Sequence, residues 1–145
     1  MYPFYLELEL IKPVSDYFKK LNYNVFYEIR IGFCRADIVC FKNIEVVAIE
    51  LKLKNWKKAI IQAKNYQLGA DFVYIAVPLM RSYNILRKAE DKLKNEGIGF
   101  LVINEKDSEV RKIINAKSSK RKICNISENG IKRKNKKNKK FYFTD

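Results

Sequence analysis

Two short runs in this chain place charge inside otherwise apolar sequence: Arg35-Ala36-Asp37-Ile38-Val39 and Ala48-Ile49-Glu50-Leu51-Lys52-Leu53. Both read as strands, and in a strand residues two apart project to the same face. Glu50 and Lys52 therefore stand together, with Ile49, Leu51 and Leu53 on the opposite face. If the two strands pair antiparallel, Asp37 comes to lie near Glu50 at the same end of the sheet. Two carboxylates then hold a divalent metal and one ammonium stands beside them. Such a centre polarises a phosphodiester, activates water and balances developing negative charge. The spacing alone is equally satisfied by a cross-strand salt bridge.

Three features favour chemistry over the salt bridge. Asp37 sits in a run fit for burial, where an unpaired carboxylate is costly. Gln62 and Tyr66, at i and i+4 on the helix that follows, share one face. Glu7 offers a third carboxylate from the first helix. The chain also has no histidine. That removes Ser-His-Asp and Cys-His hydrolases, histidine-ligated zinc and histidine general bases together. Hydrolysis would have to run on carboxylates, lysine and a hard, oxygen-preferring metal such as Mg²⁺ or Mn²⁺.

The elements that must position these groups can be read from periodicity. Residues 4–21 form an amphipathic pattern through Leu10, Val14, Tyr17, Phe18 and Leu21. Pro13 requires regular helix to begin close to it, or the helix to bend. Strands are expected over 24–31, 35–41 and 45–53, turning at Gly32 and at Lys42-Asn43. In the first of them Tyr23, Val25, Tyr27, Ile29 and Ile31 alternate against Asn24, Phe26, Glu28 and Arg30. A helix follows between Asn55, a plausible N-cap, and Gly69. Then come a strand over 72–77, a helix over 83–95 capped by Ser82 and ended by Gly97, and a strand over 99–103. The order α-β-β-β-α-β-α-β implies a mixed sheet with helices on its faces.

These residues resemble the PD-(D/E)XK, restriction-endonuclease-like nucleases, whose core is αβββαβ. The motif of that superfamily is an acid opening the second core strand and Glu/Asp-x-Lys on the third, matched here by Asp37 and Glu50-Leu51-Lys52. Many members carry a glutamate in the first helix, and a glutamine with a downstream tyrosine after the third strand; Glu7, Gln62 and Tyr66 stand at those places. Glu7-Leu8-Glu9-Leu10 followed by Pro13, Val14 and Phe18 is similar to the first helix of an uncharacterised microbial branch. Trp56, Ala59, Gln62-Ala63 and Val73-Tyr74-Ile75-Ala76-Val77-Pro78 continue the likeness, which spans about residues 5–80. The proline of the family name is replaced by Ala36. The resemblance implies a Mg²⁺- or Mn²⁺-dependent endonuclease acting on DNA in repair, recombination or restriction. Asp37 and Glu50 would be metal ligands, Lys52 would act on the nucleophile, Gln62 would support the site, and Glu7 would be an outer or second-metal ligand. The superfamily also contains members without activity, so a nuclease-fold protein that only binds DNA or RNA is the rival.

Charge bears on the partner. The net charge is +14, and it is uneven: 16 basic against 12 acidic side chains over residues 1–105, but 14 against 4 over residues 106–145. We expect a nuclease-like domain over 1–105 and a basic extension over 106–145, partly disordered, with Val110, Ile113 and Ile114 in a short helix. Residues 132–140, KRKNKKNKK, hold seven basic side chains in nine and nothing apolar to bury. Lys132, Arg133, Lys134, Lys136, Lys137, Lys139 and Lys140, with Lys54 beside the motif, are the expected contacts to phosphates. DNA is the expected partner ahead of RNA. A homodimer is left open, since cutting two strands usually takes two sites. No apolar run nears the ~18 residues of a membrane span, and acids stand where a signal peptide needs bases; a cytoplasmic protein with no membrane partner is expected. Cys34, Cys40 and Cys124 are odd in number without CxxC spacing, which argues against a disulfide framework or zinc.

Overall fold

A computed structural model describes residues 4–137, and within the last helix it describes side chains only as far as residue 132. A 3-10 turn, Glu7–Leu10, leads into α1, Ile11–Lys20. Pro13 falls in the first turn of α1, where its missing N–H costs nothing. Three antiparallel strands follow: β1 Asn24–Ile31, β2 Cys34–Lys42 and β3 Glu45–Leu51. Then come α2 Trp56–Tyr66, β4 Phe72–Pro78, α3 Leu79–Glu96 and β5 Gly99–Ile103. The expected N-cap holds, since Asn55 Oδ1 accepts from Lys58 N at 3.3 Å, and Gly97 closes α3 in the left-handed conformation at φ 71°. α3 starts directly after Pro78, ahead of the expected Ser82, whose hydroxyl donates back to Leu79 O at 2.7 Å.

The strands form one six-stranded mixed sheet in the order β1-β2-β3-β4-β5-β6, where β6 is Val110–Ile114. β3, β4 and β5 are parallel and the rest antiparallel. α2 and α3 cover one face with a core that includes Ala48, Ala63, Tyr66, Ile75 and Phe100. The 3-10 turn and α1 cover the other through Leu10, Val14 and Phe18, packed on Ile38, Ile49, Leu51 and Tyr74. No helix of the described residues is long and apolar enough to cross a membrane.

Four sequence expectations are corrected. The Val110, Ile113, Ile114 spacing forms a strand, not a helix. Asn104 N donates to Glu109 O at 2.9 Å, closing a hairpin that gives the otherwise bare edge of β5 its partner. A register shift between Phe100 and Leu101 changes the phase of that pairing, so the apolar residues of β6 do not alternate cleanly. The break expected near Asn104 is not a break in the fold. Ile114 and Ile131 are buried in the α2–α3 core, and Ser119, Arg121 and Lys122 tie the following segment to Gln67, Glu96 and Asp71. Part of the run expected to be disordered lies in α4, Glu128–Lys137, anchored by Ile131 and by a Lys132–Glu128 ion pair at 3.0 Å.

The fourth correction concerns the strand next to the site. β1 does not keep one alternation: Tyr23, Val25 and Tyr27 pack toward α1, whereas Phe26, Ile29 and Ile31 pack toward α2 and α3. The switch falls on Glu28, whose φ is 52°, a left-handed residue that rotates the strand while the register resumes at Ile29↔Ala36. At the β1–β2 turn, Gly32 has φ 60° and a Cβ there would lie 2.4 Å from Asn65 Oδ1. Asn65 uses that closeness: it accepts from Phe33 N at 3.0 Å and donates to Ile31 O at 2.7 Å, which fastens the turn to α2.

Candidate active site

The β2–β3 pairing runs from Lys42↔Glu45 to Ile38↔Ile49, and the next step of that register sets Asp37 opposite Glu50. Here the ladder changes partner. Leu51 N–H donates to Asp37 Oδ2 at 2.8 Å, so a side-chain carboxylate takes a strand N–H at the point where regular pairing ends. Lys52 N–H turns the other way, to Ala76 O of β4 at 3.0 Å. The end of β3 is thus held between a carboxylate and a parallel neighbour, and Glu50 is fixed one residue before that clamp.

Glu50 and Lys52 are buried, at 3% and 8% exposure. Lys52 Nζ lies 3.2 Å from Glu50 Oε2. Tyr66 Oη stands 2.6 Å from Glu50 Oε1 and 2.8 Å from Arg35 O. Its single proton serves one of these acceptors at a time. Burial first, and then Glu50, push the Tyr66 phenol above its usual range, so it remains a donor. Asp37 is pushed up to about 7, first by burial and next by the Glu50 charge, against the opposing pull of Leu51 N–H and Lys52. The pocket therefore holds two carboxyl groups against one ammonium, and Asp37 is about half protonated at neutral pH.

Gln62 lies one turn before Tyr66 on α2, and its Oε1 is buried without a hydrogen-bond partner among the described residues. Such an orphan acceptor is uncommon in a folded interior. Glu7 is brought to the edge of the site but not into it. It is exposed, and its Oε2 accepts from Leu53 N at 3.3 Å, one residue past Lys52. Among the described residues no group of three or more His, Cys, Asp or Glu side chains could hold a metal ion together. The structure gathers Asp37, Glu50 and Lys52 with Tyr66, sets Gln62 on the same helix, and leaves Glu7 as a backbone cap.

Of the expected phosphate contacts, Lys54 is exposed just beyond the site and Lys132 is paired with Glu128. Arg133, Lys134, Lys136 and Lys137 fall in α4, but their side chains, with all of Lys139 and Lys140, lie outside the described residues. Trp56 packs half-buried against the α2–α3 core, consistent with a packing role. Three basic residues near the site, Lys57, Arg81 and Lys88, escaped the sequence reading. No spacing links them, because the parallel β3-α2-β4-α3 path is what brings them to one place.

No family model and no curated protein matches this chain. A solved structure does: the SPO1766 protein of unknown function from Silicibacter pomeroyi superposes with a TM-score of 0.62 at 13% identity, over 93% of this chain and 92% of that one. At that identity the likeness is one of fold.

Proposed function

We propose that this chain is a Mg²⁺- or Mn²⁺-dependent endonuclease of the restriction-endonuclease-like type, acting on DNA ahead of RNA. The observation that carries this reading is the imbalance at the end of β3. Asp37 and Glu50 face each other with one ammonium on Glu50, and burial first and the Glu50 charge next raise Asp37 to about 7. A structural ion pair would be complete with Glu50 and Lys52 alone. The surplus carboxylate, half-buried and held by a backbone N–H, leaves the pocket one negative charge in excess when ionised, which fits a site that takes a divalent cation together with a phosphate. The donors are all oxygen, as a hard cation prefers, and Mg²⁺ at phosphoryl-transfer sites is commonly held by one or two carboxylates with water and phosphate completing the shell. Asp37 and Glu50 would hold the ion.

When bound, the ion would supply Lewis acidity toward a phosphoryl oxygen and make water a better nucleophile. The protein groups do the rest. Tyr66 fixes the Glu50 carboxylate through Oε1. Lys52, on the other oxygen of Glu50, stands where it can orient an attacking water or meet charge developing on phosphorus. Gln62 Oε1, buried one turn before Tyr66, offers an acceptor for an interior water, and Glu7 holds the backbone at Leu53.

A binding-only protein of the same fold is the second reading, favoured by the 3.2 Å Lys52–Glu50 pair, which already satisfies both partners. Incubation with Mn²⁺ and a panel of duplex, single-stranded, flapped and branched DNAs and RNAs separates the two. The proposal expects cleavage by the wild-type chain that is lost in Glu50→Gln and Lys52→Ala. Cleavage that persists in both variants removes the site, and cleavage of nothing leaves the binding-only reading.

A further inference from the structure

Beside Lys52 the chain runs through Leu53, Lys54 and Asn55 into the amino end of α2. There Lys54, Lys57, Arg81 and Lys88, with Trp56 and Asn84, line an open cleft of about 270 Å³ between α2 and α3. All four cations are exposed. No acidic side chain lines the cleft, and among the described residues none of the four forms an ion pair with a carboxylate. Elsewhere several cations are paired, Lys12 with Asp16, Lys64 and Arg121 with Glu96, Lys94 with Glu90, and Lys122 with Asp71, while others among the described residues, such as Lys20, Lys117 and Lys120, stand singly on the surface. Solvation alone would account for any one of these lysines. It does not account for four cations from two helices and a loop converging on one concave surface from which acids are absent. Lys57 Nζ is held 5.6 Å from the centroid of the Trp56 ring, so this cation is partly fixed over the wall of the cleft. The positive end of the α2 dipole opens on the same space.

We infer that this cleft is the track along which the phosphate backbone of a nucleic-acid strand is laid before it reaches the Asp37–Glu50–Lys52 site. The inference rests on the proposed nuclease reading for the direction of the strand, and it extends that reading to residues that carry no catalytic role. Geometry and charge both suit it. The volume is below the range of about 300–1,000 Å³ usual for small-molecule pockets, and the cleft is open, so a chain can pass through it. The lining offers phosphate oxygens charge and N–H donors, with one planar aromatic wall. Binding should therefore depend strongly on salt, as phosphate contacts do.

The test is fluorescence anisotropy of labelled single-stranded and duplex DNA against the full chain in EDTA, across a salt series, so that no cleavage is needed. The triple variant Lys57→Ala, Arg81→Ala, Lys88→Ala is compared with Lys20→Ala, Lys117→Ala, Lys120→Ala. The second variant removes the same charge from the opposite end of the sheet. The cleft variant should bind roughly tenfold or more weaker, with its log–log salt slope reduced by about 2 on single strands and about 3 on duplex. The control should keep a slope close to that of wild type. Equal weakening in both variants would show a diffuse charge effect and overturn the track, as would a cleft variant with unchanged affinity and slope. Displacement of the DNA by inorganic phosphate as effective as by unlabelled polymer, at equal phosphate concentration, would make the cleft a small-anion site and overturn it too. So would equal displacement by polyglutamate at equal charge. Melting temperatures close to wild type certify that both variants fold. A wild-type chain that binds through the cleft and cuts nothing retires the nuclease reading alone. Cutting with an unaltered slope in the cleft variant retires the track alone.

Discussion

Replacing Asp37 with asparagine should make this protein more stable at pH 8 while destroying its proposed metal site. Asparagine keeps an oxygen for Leu51 N–H and gains a donor for Glu50, and it removes the charge that burial and Glu50 oppose. The carboxyl of Asp37 is raised from the ordinary 3.8 to about 7 in the folded chain. A raised acid favours the protonated form on folding. Its contribution is therefore fully present below about 3.8, falls as pH rises through the interval, and is gone above about 7. At about 1.4 kcal/mol per pH unit that interval sets a ceiling of about 4 kcal/mol. Residual solvent contact reduces it to about 1–3 kcal/mol. For a chain of this length the variant should then melt about 3–9 °C higher at pH 8. The assay is thermal unfolding of both proteins in EDTA from pH 4 to pH 9. The two curves should converge at the acid end and separate progressively up to pH 7. Parallel profiles, or a variant less stable than wild type at pH 8, would refute the reasoning, because Asp37 would then be a satisfied structural carboxylate.

Two further outcomes follow from the same geometry. Tyr66→Phe removes the one hydroxyl proton offered to Glu50 and should cost about 1.5–3 kcal/mol, the range for a hydrogen bond to a charged group; a urea midpoint unchanged from wild type would contradict it. Glu28→Gly should raise stability by up to about 1 kcal/mol, by relieving a left-handed residue where only glycine is at ease, whereas Glu28→Val should lose about 1–3 kcal/mol. Chemical denaturation of both variants checks this, and a valine variant as stable as wild type would show that the strand rotates without strain.

What the sequence made legible was the part governed by local rules. Asn55 and Gly97 announce the start of α2 and the end of α3, and the acid in β2 and Glu50-x-Lys52 in β3 are adjacent because two hairpin turns leave them no other register. Tyr66 could be read as well, because i and i+4 on a helix are neighbours whatever surrounds them. The misses were tertiary. Nothing in Val110-Arg111-Lys112-Ile113-Ile114 tells that the open edge of β5 stands waiting to pair it. The rotation at Glu28 is invisible to a period of two, since it consists of the failure of that period at one residue. Glu7 could be matched to a motif position, but its contact with Leu53 N–H could not be foreseen, because that donor's place depends on how the 3-10 turn meets the end of β3. The cationic cleft was out of reach for a related reason: Lys57 and Arg81 are brought together only by the parallel path β3-α2-β4-α3.

The claim on which the account turns is that Asp37 and Glu50 jointly hold one divalent ion, and calorimetric titration with Mn²⁺ at pH 7 addresses it directly. The wild-type chain should bind one ion and release about half a proton as Asp37 ionises on binding, the release vanishing at pH 9. Asp37→Asn and Glu50→Gln should each bind no ion at that site. Binding undiminished in both variants, or no binding by the wild-type chain, would contradict it.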